Sequence, residues 1–128
     1  MRRTIEPILF AALLWMATPA AADDKIGTLP EIFKRLGKCF KSPPLPRDHP
    51  GLQITFIMTF TRTGELFGQP KVTYESEYAT DNDRLLYRTA VVEALQRCTP
   101  MPFTDGLGNA VAGRPLRMRI DDRRTKSI

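Results

Sequence analysis

Residues able to do chemistry are few, and their spacing restricts what they can do. His49 is the only histidine of the chain, and Cys39 and Cys98 are the only cysteines. A serine or cysteine nucleophile would need that one imidazole held beside it. Yet His49 lies between Asp48 and Pro50 in a proline-rich stretch, where it is expected to be a solvent-exposed connector residue. Ser42, Ser76 and Ser127 lack the strand-turn-helix setting of a nucleophile elbow. Two distant cysteines and one histidine do not make a zinc set. The run "DNDRLL" opens like a calcium loop but lacks glycine at its sixth position and the later glutamate. "GLG" at Gly106 to Gly108 is expected to sit in a loop with no helix start behind it, too little to cradle a phosphate. No catalytic residue, metal ligand or cofactor site is assigned, and a small hydrolase is the weakest of the alternatives.

The N-terminus changes how the cysteines are read. "MRRTIEPILFAALLWMATPAAADD" has a basic start at Arg2 and Arg3, an apolar stretch from Ile8 to Met16 and a small-residue site at Ala20 to Ala22. That is the grammar of a cleavable export signal over residues 1–22, and its apolar stretch is too short to span a bilayer. The expectation is an exported, soluble, periplasmic protein with no membrane span once the signal is removed. Residues 23–128 then form one domain of 106 residues, with a core at about 27–121. In an oxidising compartment, an even count of cysteines without CxxC spacing favours a structural disulfide between Cys39 and Cys98. Two free thiols and an intermolecular bridge are the alternatives.

The net charge of +5 falls to +4 without the signal, which carries two arginines and one glutamate. Acidic and basic residues are interspersed, as in "DDRRTK" and "ATDNDRLLYR", so nucleic acid is not the expected partner.

The elements that must position these residues are legible in the patterning. "GTLPEIFKRLGKC" predicts a short helix with Thr28 as N-cap, Glu31 completing a capping box, and Gly37 able to end it. "FKSPPLPRDHPG" has four prolines in twelve residues and predicts an extended connector. Leu52, Ile54, Phe56, Met58 and Phe60 alternate with polar or outward residues, which predicts a strand. Thr63-Gly64 turns it into a second strand at Leu66 to Tyr74, whose ordered pairing begins near Lys71 because Gly68 and Pro70 intervene. "TDNDRLLYRTAVVEALQRC" predicts a helix with Asp81 or Asp83 at its N-terminus and Leu86, Ala90, Ala94 and Cys98 on one stripe. "FTDGLGNAVAG" is expected to be a glycine-rich loop. "RPLRMRID" predicts a last strand with Leu116, Met118 and Ile120 inward and Arg117 and Arg119 outward. The fold class is α+β: a three-stranded antiparallel sheet with helices packed on one face, in the order α-β-β-α-β.

The helix leading to "KCFKSPP", the hairpin with "FTRTGELFGQPKV", the helix ending "ALQRCTPMP" and the final strand together resemble the TolA/TonB C-terminal domain superfamily. The likeness covers about residues 27 to 121 and is closest to the TolA-like branch. It implies a non-enzymatic periplasmic module that docks a cell-envelope protein, by addition of a partner segment to the sheet edge. Carried onto this chain, the edge is Pro115, Leu116, Arg117, Met118, Arg119 and Ile120. Arg117 and Arg119 would either meet acidic partner residues or only blunt the edge against aggregation. TolA and TonB proper hang from an inner-membrane helix by a long spacer. Here about five residues separate the signal from the first helix, so docking is carried over and energy transduction is not. The same geometry would also allow self-association through the edge. The alternative function is charge-driven binding of anionic envelope material such as lipopolysaccharide or peptidoglycan.

Overall fold

The computed structural model describes residues 24–124, so the expected export signal over residues 1–22 and Ser127 lie outside the described residues. The elements are α1 (Leu29–Cys39), β1 (Gln53–Met58), β2 (Lys71–Glu75), α2 (Asp81–Cys98), α3 (Asp105–Val111) and β3 (Leu116–Asp121). The sheet is antiparallel with the order β2-β1-β3, so the first strand is central and both later strands are edges. The α+β class holds, with the order α-β-β-α-α-β.

Strict alternation builds the sheet. Ile54, Phe56 and Met58 of β1 are buried, while Gln53, Thr55 and Ile57 on its other face remain partly open. From β3, Met118 is buried on the inner side, with Leu116 and Ile120 packed against the core and Arg117 and Arg119 exposed. Tyr87, Val91 and Leu95 on one stripe of α2 and Ile32 and Leu36 of α1 supply the opposing layer. The core is therefore one helix-on-sheet interface, and the second sheet face is uncovered among the described residues.

Helix ends follow the sequence in part. In α2, Thr80 caps Asp83 N–H and the Asp83 carboxylate accepts from Thr80 N–H, each at 3.1 Å, completing a capping box. In α1, Thr28 is the N-cap but its side chain makes no cap bond; Glu31 accepts from Gly27 N–H, one residue earlier than expected. Gly37 does not end α1. The helix runs two residues further to Cys39, and Phe40 N–H still donates to the Leu36 carbonyl before the chain extends toward Pro43.

The largest departure is α3, where a glycine-rich loop was expected. Thr104 accepts from Leu107 N–H as its cap, and Leu107 and Val111 are buried. Gly108 is what lets the turn of helix approach: a Cβ there would collide with the Arg62 carbonyl of the hairpin tip. Gly64, at φ +87°, is held in the same way against Met101, whose N–H donates to the Gly64 carbonyl at 2.8 Å. The hairpin tip is thus clamped between α3 and the segment after Cys98.

Candidate functional site

Cys39 and Cys98 form a disulfide with Cα atoms 6.0 Å apart, joining the ends of α1 and α2. Cys98 closes the buried stripe of α2 and Cys39 is half-buried. Arg97 adds a hydrogen bond from its guanidinium to the Cys39 carbonyl at 2.9 Å. Neither sulfur is a thiol, so neither is a nucleophile or metal ligand in this state.

His49 is not the solvent-exposed residue expected from its proline-rich surroundings. Its side chain is 15% exposed, and both ring nitrogens are engaged. Gly51 N–H donates to Nδ1 at 2.9 Å, so Nδ1 is the unprotonated nitrogen. Nε2 therefore carries the proton and donates to the Asp83 carboxylate at 2.9 Å. An imidazole with its lone pair given to a backbone N–H has none left to serve as a base toward a substrate. The hydrogen bond from Thr80 N–H, and then that from His49, holds the Asp83 carboxyl below the ordinary carboxylate range, against the opposing effect of burial. The unit pins the connector to the start of α2. It joins residues 34 positions apart, which is why the local sequence could not reveal it.

The serines have structural partners as well. Ser42 donates to the Asp122 carboxylate at 2.7 Å. Ser76 is buried and bonded to Gln53. Asp122 also accepts from the Tyr87 hydroxyl at 2.6 Å, and burial, reinforced by this carboxylate, pushes the Tyr87 phenol upward. Among the described residues no group of three or more His, Cys, Asp or Glu side chains could hold a metal ion.

The sheet itself is open for binding. The structure places Leu116 through Ile120 in β3, as expected, and Pro115 just before it. Asp122 N–H bonds to the Leu52 carbonyl at 3.0 Å, continuing the regular β1–β3 register. By antiparallel alternation the even residues Leu116, Met118 and Ile120 point their backbone groups at β1. Arg117, Arg119 and Asp121 point theirs outward, away from the sheet.

The uncovered face holds a second, unanticipated feature. Thr55, Thr73, Tyr74, Arg117 and Arg119 line an open groove of about 580 Å³. The register sets two rows across the strands, Tyr74–Thr55–Arg119 and Lys71–Ile57–Arg117. Thr55 and the arginines were legible as outward-facing. Tyr74 was not, because the register slips between Thr55 and Phe56 and Thr73 becomes the extra residue of a bulge. At the end of this face Asp121 takes two bonds from the Arg123 guanidinium, each at 2.7 Å, which hold its carboxyl at about 2.

Neither a curated protein nor a solved structure matches this chain. A family model matches residues 22–124, and the chain belongs to that family, described as Uncharacterised conserved protein UCP034077.

Proposed function

We propose that this protein is a non-enzymatic protein-docking module of the cell envelope, of TolA/TonB C-terminal type, that takes up a partner segment along β3. The observation that carries it is the six-residue edge of Leu116–Asp121, regular in register, whose outward backbone groups at Arg117, Arg119 and Asp121 have no strand partner among the described residues. Such an edge gives affinity through main-chain hydrogen bonds and selectivity through alternate side chains. The disulfide fits an oxidising compartment such as the periplasm, and among the described residues no helix is long and apolar enough to cross a membrane. The engagement of both His49 nitrogens weighs against the hydrolase alternative.

The test separates backbone from side chain. Arg119→Pro removes an outward N–H without touching the bonds to β1, a place where an edge strand tolerates proline. Arg119→Gln removes only the charge. Immobilised wild-type and Arg119→Gln domains should retain the same protein from an envelope extract, and Arg119→Pro should lose it. Equal retention by the proline variant would end the proposal. Self-association by β3 pairing predicts the same pattern in sedimentation of the purified domain.

A further inference from the structure

The uncovered face is chemically distinct from the edge. We infer that the groove between Tyr74 and the Arg117/Arg119 pair binds an acidic saccharide, with a neutral sugar ring on Tyr74 and the acidic group of a neighbouring ring held by the two arginines. This goes beyond strand docking, since it uses side chains of the face and none of the outward backbone groups.

Four observations converge on that chemistry. Tyr74 is 46% exposed, so its ring is available as a platform. Tyr74 and Arg119 lie at opposite ends of one row, two strand spacings apart, or about 10 Å. That span suits two linked sugar rings, one on the aromatic and one at the cations. Arg117 and Arg119 project from the same side of β3, and among the described residues neither has a carboxylate within ion-pair distance. Asp121, the acidic group nearest in the strand, gives both oxygens to Arg123. Between the two ends stand the threonines Thr55 and Thr73, whose hydroxyls match a polyol.

The geometry disfavours other anions. β1 is paired on both sides, so the floor of the groove has no free backbone donors for a peptide strand. Single-stranded nucleic acid binds through successive stacking platforms, and the groove has one aromatic side chain. A simple anion would have no use for Tyr74.

The experiment titrates the full domain with a hyaluronan tetrasaccharide, which alternates neutral and carboxylate-bearing rings, and follows backbone amide shifts by NMR. Shifts should concentrate at Thr55, Thr73, Tyr74, Arg117 and Arg119. Tyr74→Ala should weaken binding roughly tenfold, as loss of one stacking contact does. Arg117→Gln/Arg119→Gln should abolish it at the concentrations used. All three positions are exposed, and unchanged shifts elsewhere in each variant establish that it folds. Neutral tetra-N-acetylchitotetraose should bind far more weakly than the tetrasaccharide. The inference is overturned if the tetrasaccharide produces no localised shifts, if Tyr74→Ala binds as wild type, or if polyglutamate or a thymidine oligonucleotide of matched charge binds equally well. Strand docking stands or falls separately, because Arg119→Gln should lose the saccharide and keep the protein partner.

Discussion

The two edges of the sheet solve the same problem differently. β2 is five residues long, slips register at Thr73, follows a Gly68–Pro70 interruption and half-buries only Val72 and Glu75. Glu75 spends its inner position on an ion pair with Arg88 of α2 rather than on packing. β3 is regular over six pairs and plants Leu116, Met118 and Ile120 in or against the core. A bulged, short edge resists pairing with another chain, whereas a regular one invites it. The difference teaches that only one side of this sheet is guarded by its backbone; β3 carries charge, at Arg117 and Arg119, without distortion.

The largest effect that could sharpen the contrast comes from the clasp. Replacing both cysteines by serine should lower global stability by about 4 kcal/mol, the chain-entropy value for closing 59 residues. Urea unfolding measures the total, and amide exchange shows where it falls. Amides that bond β3 to β1 should exchange only through global unfolding and lose protection by that full amount. Amides of β2 should exchange through local opening and change far less. Equal losses at the two edges would mean that β2 is as firmly anchored as β3, and the comparison would fail.

A smaller difference is expected from side-chain truncation. Met118 is 9% exposed, so Met118→Ala should cost about 3 kcal/mol through lost burial and a residual cavity. Val72 is only half-buried, and Val72→Ala should cost about 1 kcal/mol. Denaturant midpoints of the two variants decide it. Comparable losses would place β2 in the core as deeply as β3.

How far the sequence revealed this arrangement depends on the range of the forces involved. Alternation in Leu52 to Phe60 and in Leu116 to Ile120 is local, and it placed both strands and their inner faces. The stripe of α2 was legible for the same reason, and Asp81 and Asp83 marked its start, although the cap itself is Thr80. The disulfide followed from counting and compartment. What escaped was set by tertiary contact. Gly106 and Gly108 argue against a helix locally, but packing under the Arg62 carbonyl demands a residue without a side chain. The signal that could have identified α3 is Thr104, a cap three residues before Leu107. His49 looked exposed because its partner Asp83 belongs to another element. The saccharide groove needs the bulge at Thr73 to present Tyr74, and no pattern in "KVTYE" announces a bulge.

The smallest effect concerns the end of β3, where Asp121 and Arg123 form an exposed bidentate pair, whereas the Glu75–Arg88 pair of β2 is turned inward against α2. The Asp121 carboxyl, held at about 2 by Arg123, lies below its ordinary value near 3.8. A group depressed in the folded state stabilises fully above the unfolded value, and that contribution disappears as pH falls through the folded one. Carbon-detected NMR of the carboxylates should therefore show Asp121 titrating near 2, with the β3 amide shifts around it following that titration only below about pH 3. In Arg123→Ala the midpoint should return to the ordinary carboxylate range. Asp121 is exposed, so the global unfolding midpoint should barely move. If Asp121 titrates normally in the wild type, this pair does not form in solution. Asp121 would then be free to attract Arg119, weakening the excess of positive charge on which the groove depends.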